Sequence, residues 1–206
     1  MAYPDLTKSE APALINWHFP VLFLLIAMAA CSSAPTRNTA SFGSGSFGYE
    51  DKIELLDELL DAESQSTEPG RKILATGRKM TLEQQEIVRG SCWDYANAVY
   101  DRTGYPNSKT SRQTVFKGTK SKGPYADAGL IRPGDWLYYI NHSYNDVEHS
   151  AIFVKWLDET KRIGLMLSYG GEKRREPARY LPYDLTHVYQ IMRPAEPDGE
   201  QLVSAR

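Results

Sequence analysis

Hydrophobic and polar positions divide the chain into an apolar leader, a stretch of helical periodicity and a later stretch of strands. Phe19 to Ala30 is a run of signal-peptide length, shorter than a bilayer span requires. Residues 1–30 are therefore predicted to be a signal peptide, and 31–50, rich in Ser, Gly and Thr, a flexible tether. From Asp51 to Glu63 the apolar Ile53, Leu56, Leu59 and Leu60 recur at helical spacing among acidic residues, which predicts an amphipathic helix. Ser66 to Gly70 breaks it. Thr81 to Arg89, with Gln84 three places after Thr81, carries a capping-box pattern and predicts a second helix. A third is predicted from Ser91, its N-cap with Asp94 three places on, to about Arg102, where Gly104 and Pro106 stop it. Cys92, Tyr95, Ala96 and Val99 share one face of that helix.

Strand patterns follow. Thr110 to Gly123 is polar and basic and reads as a loop. Pro133, Gly134 and Asp135 form a turn leading into the aromatic strand Trp136 to Ile140. His149 to Leu157 and Ile163 to Tyr169 are apolar strands joined as a hairpin through Asp158 to Arg162. Val188 to Met192 adds a last strand. Residues 194–206 read as a disordered tail, so the predicted domain spans 51–193. Helices first and strands second predict an α+β domain.

Composition adds little to this. A net charge of −2 gives no reason to invoke nucleic acid. One cysteine in the domain and scattered histidines make no metal site, and no cofactor motif appears.

Ala29, Ala30, Cys31, Ser32 and Ser33 resemble the lipobox of bacterial lipoproteins. That resemblance implies cleavage before Cys31, lipid (palmitate included) on its sulfur, and a membrane tether. Ser32 stands where an aspartate would retain a lipoprotein in the inner membrane, which implies the outer membrane, facing the periplasm. Cys92 is then left without an intramolecular partner, which in an exported chain points to a reactive thiol or an intermolecular bridge.

A thiol attacks as thiolate, favoured by a helix N-terminus and by a nearby imidazole that takes its proton. Of the four histidines, His18 leaves with the leader, His187 lies late and His142 sits in a polar loop. His149, opening an apolar strand, is the candidate base.

The stretches G-S-C-W at Gly90 to Trp93, R-P-G-D-W at Arg132 to Trp136 and E-H-S-A-I-F-V at Glu148 to Val154 resemble NlpC/P60 and CHAP domains. These are papain-like bacterial cysteine hydrolases. Papain itself separates its cysteine from its histidine by ~130 residues or more, far beyond the spacing here. The resemblance implies a cysteine helix packed on an antiparallel sheet, with Cys92 as nucleophile and His149 as base. It also implies a third residue orienting the imidazole. Ser168, Glu172 and, after a one-residue change of register, Tyr169 are its candidates, and Ser168 is preferred. The implied activity is cleavage of amide bonds in peptidoglycan stem peptides or cross-bridges. Rival expectations are a catalytically silent lipoprotein that binds wall fragments or an envelope partner, and acyl transfer on lipid. The basic residues Lys109, Arg112, Lys117, Lys120 and Lys122 are candidates to meet carboxylates of a stem peptide.

Overall fold

The computed structural model describes residues 49–195. The leader, the lipidation expected at Cys31, nearly all of the tether and the tail after Ala195 lie outside the described residues. Three helices, α1 (Tyr49–Ser64), α2 (Glu68–Arg78) and α3 (Cys92–Arg102), precede six strands. The strands are β1 (Arg112–Lys117), β2 (Trp136–Asn141), β3 (Val147–Asp158), β4 (Ile163–Ser168), β5 (Arg179–Asp184) and β6 (Val188–Pro194). They form one antiparallel sheet in the order β1-β6-β2-β3-β4-β5. Among the described residues, no helix is long and apolar enough to cross a membrane.

Each face of the sheet buries its own apolar cluster. On one face, Leu59, Ile73, Tyr95 and Val99 of the helices meet Trp136, Ile152, Val154, Leu165 and Leu167. On the other, Leu137, Tyr139, Ala151, Phe153, Met166 and Ile191 pack together, with Ala126 and Ile131 from the β1–β2 connection. Alternate residues of β3 therefore go to different clusters, as a pleated strand requires.

The predicted first and third helices are present. The helix expected from Thr81 to Arg89 is not. The predicted break at Ser66 to Gly70 separates α1 from α2 and also starts the latter: Thr67 caps it through Gly70 N–H at 3.3 Å, and Pro69 occupies its first turn. That helix then widens into a π-helical turn at Lys79–Glu83. Thr81 lies within the turn, buried, with its hydroxyl 2.9 Å from Tyr95 OH. The stretch expected to be a loop, Thr110 to Gly123, contains all of β1, an edge strand paired to β6. Strand β5 had no counterpart in the sequence reading. It carries Pro182, which an edge strand tolerates.

Three contacts seat α3. Tyr100 OH donates to Gly134 O at 2.8 Å. Buried Arg112 donates to Tyr105 O, Asn97 Oδ1 and Asp101 Oδ1 at 2.7–2.8 Å. Thr81 holds Tyr95 as above. The Pro133–Gly134–Asp135 turn is fixed in its own right, since buried Asp135 accepts two bonds from Arg193 of β6, both 2.7 Å. Gly134 has φ +90°, and a Cβ there would lie 2.6 Å from Gly70 Cα in α2. Gly104, just past α3, shares a positive φ of +92° but faces open space.

These two glycines allow a controlled comparison. Gly104→Ala is expected to cost about 1–2 kcal/mol from backbone conformation alone. Gly134→Ala adds overpacking against α2 and is expected to cost about 2–5 kcal/mol in total. Urea denaturation of both variants measures the difference. Equal losses would remove the close-packing argument.

Candidate functional site

The tip of α3 is built by three consecutive residues. Gly90 takes φ +109°, and a Cβ there would collide with the Asp94 carboxylate. The Ser91 N–H and O–H both donate to Asp94 Oδ2, at 2.7 and 2.8 Å. Those bonds to Ser91 hold the Asp94 carboxyl below its ordinary range, so it stays ionised at the helix start. Cys92 is the first residue of the helix and is partly exposed. The first N–H groups of α3 have no carbonyl partner within the helix.

Cys92, His149 and Ser168 all line one cleft of about 800 Å³. Within it, thiol and imidazole have different partners. The sulfur accepts a hydrogen bond from Ser150 Oγ at 3.7 Å. Ser150 points, like Ile152 and Val154 after it, toward the helices. His149 follows Ala151 and Phe153 to the other face. There its Nε2 lies 2.9 Å from Ser168 Oγ, and Ser168 Oγ lies 2.9 Å from Tyr183 OH. Tyr139, paired with His149 across β2 and β3, meets the imidazole edge-on with ring centres 5.6 Å apart. Among the described residues, no hydrogen bond joins Cys92 to His149.

Burial in this aromatic surround, helped by the charge of Arg174, lowers the His149 pKa from 6.5 to about 4. The ring is therefore neutral at physiological pH. The tautomer with its hydrogen on Nε2 donates to Ser168 and leaves Nδ1 as an acceptor; the other tautomer accepts from Ser168 at Nε2.

Ser168 is the orienter candidate that meets the imidazole. Tyr169 turns to the helix side, stacks on Tyr95 with centroids 4.8 Å apart and donates to Val88 O at 2.7 Å. Glu172 lies past β4, in the turn Glu172–Arg174, and its backbone N–H donates to Gly90 O at 2.9 Å. A four-residue loop closes the hairpin, and two irregularities in pairing set Ile152 opposite Leu167; continued along the strands, that register puts Gly170 level with His149. His142 and His187 pair with each other away from the cleft lining, Nε2 to Nδ1 at 2.6 Å, and Asp146 sits 2.7 Å from His142 Nδ1.

No family model, curated protein or solved structure matches this chain.

The cleft itself is thus the guide. Among the described residues, no group of three or more His, Cys, Asp or Glu is placed to hold a metal. The basic residues Lys109 to Lys122 do not line the cleft, and Lys120 pairs with Glu148 at 3.1 Å. The lining cations are instead Lys173, Arg174 and Arg179. Sequence reasoning missed three participants. Ser150 adjoins the histidine it was read for, Tyr183 sits in the unrecognised β5, and Arg174 lies in a stretch that was given no element.

The depressed His149 pKa has a measurable consequence. The unfolded chain takes up a proton near pH 6.5, whereas the folded chain resists until about pH 4. Stability is therefore unaffected above pH 6.5 and falls between pH 6.5 and 4, by up to about 3 kcal/mol. Urea midpoints at pH 7 and pH 4 should show this loss in the wild type and a smaller one in His149→Gln. Identical losses would mean that the imidazole is not held neutral by burial.

Proposed function

We propose that this chain is a cysteine hydrolase that cleaves amide bonds in peptidoglycan stem peptides or cross-bridges. In this reading the fold is a papain-like domain of NlpC/P60 or CHAP type. A lipid on Cys31 tethers it to the cell envelope, on the periplasmic side of the outer membrane. The observation that carries the proposal is a partly exposed thiol at a helix N-terminus sharing one open cleft with a neutral imidazole.

The chemistry proceeds in two stages. Cys92 loses its proton through one intervening water to His149 Nδ1, the ring being oriented by Ser168 and Tyr183. The thiolate attacks the substrate carbonyl, forming a C–S bond, while the free N–H groups at the start of α3 receive the oxyanion. Protonated His149 then donates to the departing amine as the C–N bond breaks. Water hydrolyses the resulting thioester, with His149 again accepting a proton, and the thiol is restored. Ser150 O–H, already on the sulfur, supports the anionic form by donating to it. No cofactor enters these steps.

A second reading, a silent binding lipoprotein, is favoured by a specific feature: the sulfur's hydrogen-bond partner is Ser150 rather than the imidazole. The ionised Asp94 beside the helix tip also opposes a thiolate there.

Purified peptidoglycan distinguishes the two. The wild type should release new amine and carboxylate ends. Cys92→Ala should lose at least ~10³ of that rate, His149→Ala ~10²–10⁴, and Ser168→Ala less than either. Cleavage that persists in Cys92→Ala refutes the thiol mechanism. A wild type that binds the polymer without cutting it establishes the binding module.

A further inference from the structure

The cleft holds a second feature that the thiol chemistry does not use. After β4 the chain runs through Gly170 and Gly171 into the turn Glu172–Arg174, and β5 begins at Arg179. Lys173, Arg174 and Arg179 all line the cleft. Among the described residues, neither Lys173 nor Arg174 has a carboxylate within ion-pair distance. Arg179 pairs with exposed Glu176 at 3.8 Å. Of the two acidic groups in the lining, Asp94 is occupied by Ser91, which leaves Glu172 as the other.

The loop is held against the thiol's own support. Glu172 N–H donates to Gly90 O at 2.9 Å, two residues before Cys92. Gly171, at φ +90°, lies close enough that a Cβ would be 3.4 Å from that same oxygen. Arg174 folds back over Gly170: a Cβ there would come within 2.5 Å of Arg174 Cδ and 2.8 Å of Nε. Gly170 is the residue level with His149. The Arg174 side chain thus lies over Gly170 on the cleft wall, and among the described residues its guanidinium makes no hydrogen bond or ion pair.

We infer that this wall is an anion subsite, in which Arg174, backed by Lys173 and Arg179, receives a free carboxylate of the peptide bound at Cys92. A planar guanidinium with two adjacent N–H donors matches a carboxylate, and Lys173, Arg174 and Arg179 are all exposed, so a ligand reaches them from solvent. The inference rests on the hydrolase reading for its substrate class and specifies it further. Stem peptides with free carboxylates are accepted, and the same peptides with those groups amidated are discriminated against.

The test separates this subsite from the chemistry. Cys92→Ala protein is titrated calorimetrically with soluble peptidoglycan fragments, either native or with carboxylates converted to carboxamides. The native fragments should bind at least ~10-fold tighter, a difference that shrinks with added salt. Arg174→Gln should erase the preference, whereas Arg175→Gln, outside the cleft lining, should retain it. Inorganic phosphate, the other oxyanion such a wall would hold, should compete only weakly. Equal binding of both fragment sets, absence of binding, an equal effect of the Arg175 variant, or phosphate binding tighter than the fragments would each overturn the subsite. Cleavage by the wild type is scored separately. Discrimination without cleavage retires the hydrolase and keeps the anion site, and cleavage without discrimination does the reverse.

Discussion

Successive side chains of β3 must point to opposite faces of the sheet, and the whole candidate site is arranged around that fact. Ser150 faces α3 and reaches the Cys92 sulfur; His149 faces the second cluster and reaches Ser168. A slip of one residue would exchange them, but it would also drive Phe153 toward the helices and Ile152 and Val154 away from them. The apolar residues of β3 outnumber the polar pair at its start, and they set the register. The two groups whose contact would make the simplest thiol–imidazole pair are instead divided by a strand backbone, meeting the same cleft from its two sides.

What remains is held in place by polar contacts with little slack. The start of α3 is tied to the β4–β5 turn through Gly90 and Glu172, and its body to the sheet through Tyr100 and the buried Arg112. The turn that receives Tyr100 is locked in turn by Asp135 and Arg193. Removing one member of such a buried pair leaves the other charge uncompensated, which costs far more than the pair contributes. The thiol therefore sits on a rigid element, while the groups that would recognise a ligand come from a short connection beside it.

Much of this was legible in the residues, and what was not has identifiable causes. The cap of α3, its stop at Gly104 and the turn into β2 depend on local chemistry at Ser91, Asp94, Gly104 and Gly134, and local chemistry is visible in sequence. The predicted helix at Thr81 failed because the same capping pattern lies within a π-helical turn, where Thr81 serves Tyr95 instead. Strands β1 and β5 were missed because edge strands bury little: β1 is basic and polar, and β5 contains a proline. The facing of His149 was hidden for the opposite reason. Both sides of β3 are covered, so its residues read as one continuous apolar run with no alternation to say which neighbour looks at the helix.

The two halves of the cleft are linked electrostatically. His149 is neutral first because its half-buried ring is desolvated, and second because Arg174 adds a positive charge nearby. An anion settling on Arg174 cancels part of that second effect without rehydrating the ring. In the proposed subsite, a bound anion would therefore raise the proton affinity of the imidazole. In the proposed hydrolase, a cleft in which sulfur and imidazole share no hydrogen bond at rest gains from such an arrangement, since a standing thiolate is open to oxidation. Under the hydrolase proposal the separation imposed by β3 and the cations of the β4–β5 turn belong together: one would keep the thiol quiet, and the other would make its activation depend on the ligand.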